Sequence, residues 1–92
     1  MVVYWRAFGT LSLDLGYQTQ KVRLEEGSTL MDLVEKIGNS RSSILPSHYW
    51  DRVRRQFSPA VVAVIDGKTM KNLSGALQPN EEIWFLDVNA GG

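Results

Sequence analysis

Residues 25–39 read EEGSTLMDLVEKIGN, and this stretch decides the fold because it is the clearest helix in a chain otherwise patterned as strands. Leu30, Leu33, Val34 and Ile37 recur at the i, i+3, i+4, i+7 spacing that places them on one stripe. Thr29 stands where a hydroxyl caps the first turn, with Asp32 three residues on as its capping-box partner. Gly38 is expected to stop the helix at the C′ position. A helix with one apolar stripe must bury it against a second layer, and the flanking sequence supplies that layer as strands.

On the N-terminal side, Val2 to Phe8 is rich in β-branched and aromatic residues and ends at Gly9, which reads as a strand. Tyr17 to Leu24 alternates, with Val22 and Leu24 on one face and Lys21 and Arg23 on the other. The intervening "GTLSLDLG" has the length of a hairpin connection with some structure of its own, so the two runs form an antiparallel pair. On the C-terminal side, Asn39 to Pro59 is the least regular part. "NSRSS" reads as loop, and "SHYWDRVRRQF" as a second, shorter helix with Trp50, Val53 and Phe57 inward, Arg52, Arg54 and Arg55 outward, and Pro59 closing it. Val61 to Ile65 ("VVAVI") is wholly apolar, as expected of a central strand covered on both faces. Asp66-Gly67 is a hairpin turn signal, Lys68 to Met70 returns as a short strand, and Glu82 to Val88 ("EIWFLDV") is the last. One main helix across one face of a mixed four- to five-stranded sheet is an α+β, β-grasp arrangement. It leaves the opposite sheet face uncovered.

The chain of 92 residues suffices for one core, read as a folded body over residues 1–88 and a flexible tail over 89–92. Ten basic residues balance ten acidic ones, so no global field points to nucleic acid or an anionic membrane. Without cysteine there is no disulfide framework, thiolate nucleophile or cysteine-ligated cluster. The opening "MVVYWRAFGT" lacks the layout of a signal peptide, and no apolar run nears the roughly 20 residues of a membrane span; a cytoplasmic protein with no bound cofactor and no metal is the expectation. His48, the sole histidine, has neither triad partners nor metal-ligand spacing around it. The arginines at 52, 54 and 55 read as a solvated face, and Glu25-Glu26 and Glu81-Glu82 as loop and strand-edge charges.

Four stretches resemble the MoaD/ThiS sulfur-carrier family, relatives of ubiquitin: the opening strand into "FGTLSLDLG", then "VRLEEGSTLMDLVEKI", "VVAVIDGK", and "LQPNEEIWFLDVNAGG" with its Gly-Gly end. The small subunit of molybdopterin synthase is the type matched best. The family places a proline pair just before its tail, where this chain has Asp87 and Val88.

What the resemblance implies is chemistry at Gly92. A carboxylate is a poor electrophile; an E1-like adenylating enzyme spends ATP to turn it into a mixed anhydride, and sulfur displaces the nucleotide to leave a thiocarboxylate. The chain is then no enzyme alone but a donor to the large subunit of molybdopterin synthase. Gly91 and Gly92, lacking Cβ atoms, suit a narrow channel, with Ala90 and Asn89 threading behind them. Asn89 to Gly92 reach at most about 13 Å when extended. Trp84, Leu86 and Val88 alternate along the last strand and are expected to form the partner interface on the bare sheet face. Thiamine and tRNA-thiolation carriers, protein modifiers, and a ubiquitin-like binding module with an idle tail share the same features.

Overall fold

A computed structural model describes residues 1–41 and 43–87. The elements in chain order are β1 (Val2–Ala7), α1 (Leu11–Leu15), β2 (Gln20–Arg23), α2 (Leu30–Arg41), β3 (Trp50–Asp51), β4 (Gln56–Phe57), β5 (Val61–Ile65), β6 (Lys68–Met70) and β7 (Glu82–Asp87). Five strands form one sheet in the order β2-β1-β7-β5-β6, and β3 and β4 form a separate two-stranded ribbon. β1 and β2 pair antiparallel, β5 is antiparallel to both β6 and β7, and β1 runs parallel to β7. The sheet is therefore mixed, with its parallel join in the middle.

The cap of α2 has the expected reciprocal form. The Thr29 backbone N–H donates to Asp32 Oδ2 at 2.8 Å, and the Asp32 N–H donates to Thr29 Oγ1 at 3.2 Å. Leu30, Leu33, Val34 and Ile37 are all buried, facing Val3, Trp5 and Ala7 of β1 and Ile83 and Phe85 of β7 across the core. Asp66 and Gly67 both have positive φ, 52° and 77°, which is the tight-turn geometry that Asp-Gly favours between β5 and β6.

Three expectations are corrected. Gly38 does not end the helix, which continues to Arg41 and takes in part of the run read as loop. Its lack of a side chain serves packing: a Cβ built there would lie 2.2 Å from Trp50 Cζ2. Second, residues 47–57 hold no helix. Asp51 Oδ1 accepts the backbone N–H groups of Val53 and Arg54, each at 3.0 Å, and Arg55 turns with φ 56°; side-chain capping plus a left-handed residue makes a tight reversal instead. Trp50 and Phe57 do face inward, as paired residues of the β3–β4 ribbon, whereas Val53 sits at its tip, 93% exposed. Third, β5 is not central and not covered on both faces: it is fourth in the order, with Ala63 and Ile65 buried and Val62 and Val64 half-buried.

Candidate functional site

The side chains of β7 alternate. Ile83 and Phe85 enter the core, whereas Trp84, 42% exposed, and half-buried Leu86 face away from α2. Register sets their neighbours: Val64 lies beside Trp84 and Val62 beside Leu86 on β5, and Arg6 lies beside Trp84 on β1. Just past β1, the Phe8 ring tilts against that of Trp84 with centroids 5.1 Å apart, and the Arg6 guanidinium lies 4.9 Å from the Phe8 centroid. The Trp84 indole N–H donates to Glu82 Oε1 at 2.8 Å. The face away from the helix is thus an apolar strip with a cation–aromatic stack on its flank, open to a partner along the strand that leads into the chain's last residues.

The root of that lead is fastened by side chains. Asp87 Oδ2 accepts hydrogen bonds from the hydroxyls of Thr10 and Tyr49, and those two hydroxyls are themselves within hydrogen-bond contact. Thr10 comes from the turn after β1 and Tyr49 from the segment before β3, so three distant parts of the chain converge on one carboxylate. Gly9 makes the turn with φ +66°, and a Cβ there would come within 3.8 Å of Asp87 Cβ. Tyr49's phenol is held above its ordinary pKa of 10.0, chiefly because it donates to Asp87. Ionisation would forfeit that bond and set a phenolate against a carboxylate; the Thr10 hydroxyl pulls the other way. A bridged carboxylate thus holds the end of β7.

Of the residues expected to act, Trp84 and Leu86 are brought to one surface, next to the Asp87 anchor. Val88, Asn89, Ala90, Gly91 and Gly92 lie outside the described residues. Thr10, Tyr49 and Arg6 were missed by reading the sequence alone; the one signal was an acidic residue, Asp87, near the end of an otherwise apolar last strand. His48 is exposed, with its ring 4.1 Å from that of Tyr49, and its carbonyl accepts the Ser58 hydroxyl. Arg52 donates to the Leu45 carbonyl at 2.8 Å and Arg55 to Asn39 Oδ1 at 2.7 Å, so these arginines brace the ribbon and its flanks. No helix among the described residues is long and apolar enough to cross a membrane.

No family model and no curated protein sequence matches this chain. Solved structures do. The crystal structure of small archaeal modifier protein 1 from Haloferax volcanii superposes with a TM-score of 0.81 at 17% identity, covering 100% of both chains. The solution structure of small archaeal modifier protein 1 from Methanosarcina acetivorans gives 0.75 at 16%, covering 99% of this chain and 96% of that one. A Pyrococcus furiosus protein assigned as molybdopterin converting factor subunit 1 gives 0.70 at 16%, covering 94% and 95%. These likenesses show the ubiquitin-like β-grasp fold.

Proposed function

We propose that this chain is a sulfur carrier whose Gly92 carboxylate is adenylated by an E1-like enzyme, converted to a thiocarboxylate, and presented to the large subunit of molybdopterin synthase. The observation that supports this reading is the order of parts. On a β-grasp body, the central strand ends at a fastened Asp87, beside an exposed Trp84 strip, and is followed in sequence by Val-Asn-Ala-Gly-Gly.

The chemistry sets what each part must do. Attack of the carboxylate oxygen on the α-phosphorus of ATP releases pyrophosphate and leaves an acyl adenylate; a sulfur nucleophile then expels AMP. Neither step needs a general base from this chain, only a free Gly92 carboxylate that fits the enzyme's channel, which glycines allow at positions 91 and 92. Ordering such a segment costs about 1–2 kcal/mol per residue. Burial of Trp84, Phe8 and Leu86 against the partner offsets that cost, and fixing the root at Asp87 confines the ordering to the residues beyond it.

Intact-mass measurement after incubation with the adenylating enzyme, ATP and a sulfur donor tests the reading: one oxygen-for-sulfur exchange, located at Gly92, is expected, and an unchanged mass refutes it. Deleting Gly91 and Gly92 separates carrier from binder. A carrier loses activity while still docking; a binding module with an idle tail keeps both. The modifier names of two structural neighbours favour a second reading built on the same activation, in which a lysine amine captures the activated carboxyl group. Gly92 remnants on partner lysines in tandem mass spectra would identify it.

A further inference from the structure

A second site lies where the last turns of α2 meet the β3–β4 ribbon. A cavity of about 200 Å³ opens there, lined by Gly38, Asn39, Ser43, Trp50, Arg52 and Arg55. Neutral oxygens hold both guanidiniums: Arg52 Nη2 donates to the Leu45 carbonyl at 2.8 Å, and Arg55 Nη2 to Asn39 Oδ1 at 2.7 Å. Neither bond cancels charge, and a guanidinium carries five N–H groups, so these bonds do not exhaust its donors. With its oxygen engaged, Asn39 offers its amide N–H groups, and Ser43 offers a hydroxyl. No carboxylate lines the cavity. Asp51, beside it in sequence, turns its Oδ1 to the backbone N–H groups of Val53 and Arg54.

Trp50 points the same way independently. It is 4% exposed, yet its indole N–H meets no acceptor among the described residues. No fully buried side-chain nitrogen among those residues lacks a partner, so this N–H reaches solvent, and the cavity is what Trp50 lines. The ring edge that carries it, at Cε2, is the edge packed on Gly38, which lines the cavity too. Bracing of the ribbon accounts for the arginine bonds. It does not account for an unmatched donor on a buried ring.

We infer that this cavity binds a phosphate group. Every polar side chain that lines it can donate a hydrogen bond, and an acceptor-rich tetrahedral oxyanion satisfies more of those donors than a planar carboxylate does. Two arginine forks match phosphate oxygens in geometry as well as in charge. The chain as a whole is neutral, whereas the ribbon sets Arg52, Arg54 and Arg55 against Asp51 alone, so the excess that attracts an anion is local. A phosphate seated there ties α2 to the ribbon through charge-assisted bonds. This inference stands independently of the chemistry proposed at Gly92.

The test is an NMR titration of the full chain with inorganic phosphate, with glycerol 3-phosphate and with acetate, each at constant ionic strength. Saturable binding of phosphate or its ester at millimolar concentration is expected, with shifts centred on the Trp50 indole N–H, the Asn39 side-chain amide and residues 50–55. Preference for the ester identifies a phosphomonoester as the ligand, and preference for phosphate identifies the free ion. Arg52→Gln and Arg55→Gln, both at exposed positions, should each weaken binding roughly tenfold, the scale of one charge-assisted hydrogen bond. Arg54→Gln removes the same charge from a side chain that does not line the cavity and should weaken binding far less. A dispersed spectrum shows that each variant folds. The proposal is overturned if neither phosphate binds, if acetate binds equally well, if the Trp50 indole signal stays still while others move, or if Arg54→Gln costs as much as Arg55→Gln.

Discussion

Gly38→Ala is the substitution for which general helix rules and this packing disagree most. Replacing a mid-helix glycine with alanine ordinarily stabilises by about 1 kcal/mol. Here the new Cβ would fall 2.2 and 2.3 Å from Trp50 Cζ2 and Cη2 and 3.3 Å from Cε2. The indole cannot yield easily: it is 4% exposed and stands edge-on to Phe57, with centroids 5.3 Å apart. Overpacking of a rigid buried ring belongs near the upper end of the roughly 1–3 kcal/mol range, so the net expectation is a loss of about 2 kcal/mol after the propensity gain is subtracted. Trp50→Leu removes the ring atoms concerned, and in that background Gly38→Ala should gain about 0.5–1 kcal/mol, the propensity effect alone. Urea unfolding of the four proteins in this double-mutant cycle gives the coupling directly. If Gly38→Ala stabilises the wild-type chain, or costs the same in both backgrounds, the account of Gly38 as a packing glycine is wrong.

Other consequences are as accessible. Tyr49's raised pKa means the folded state prefers the neutral phenol, so its contribution to stability is complete below pH 10 and is lost as pH rises through the folded-state value; Asp87→Asn should lower the titration of that one tyrosine in an absorbance titration and flatten the alkaline end of the stability profile. Thr29→Ala should cost about 1 kcal/mol in thermal or urea unfolding through loss of the α2 cap, and Asp32→Ala should cost a similar amount. Trp84→Ala should lower folding stability by only about 1 kcal/mol, the scale of its pairing with Phe8, while weakening docking to the adenylating enzyme at least roughly tenfold in a binding titration. Equal effects on folding and docking would place Trp84 in the core.

Elements whose signal is local were readable from the residues. The α2 stripe, the Thr29–Asp32 cap and the Asp66-Gly67 turn each depend on neighbours within a few positions, and all three stand as expected. What could not be read depends on distant partners. Gly38 looks like a helix stop until Trp50, twelve places on, is known to need its space. The run from Ser47 to Phe57 carries apolar residues at a spacing that suits either a helix or a ribbon, and Asp51 decides by capping a turn. The Asp87 anchor draws on Thr10 and Tyr49, separated from it by 77 and 38 positions; no window along the chain contains all three. On the sheet face, alternation fixed which residues share a side, and the tertiary placement of α2 decided which side is bare.

The parallel join between β1 and β7 orders events in the cell. β7, last of the strands in sequence, sits in the middle of the sheet, and until it arrives the β1–β2 and β5–β6 hairpins have nothing to bridge them. A chain still emerging from the ribosome therefore has no finished platform until β7 slots in. The face that carries Trp84 is complete only once its own strand has joined β1 to β5.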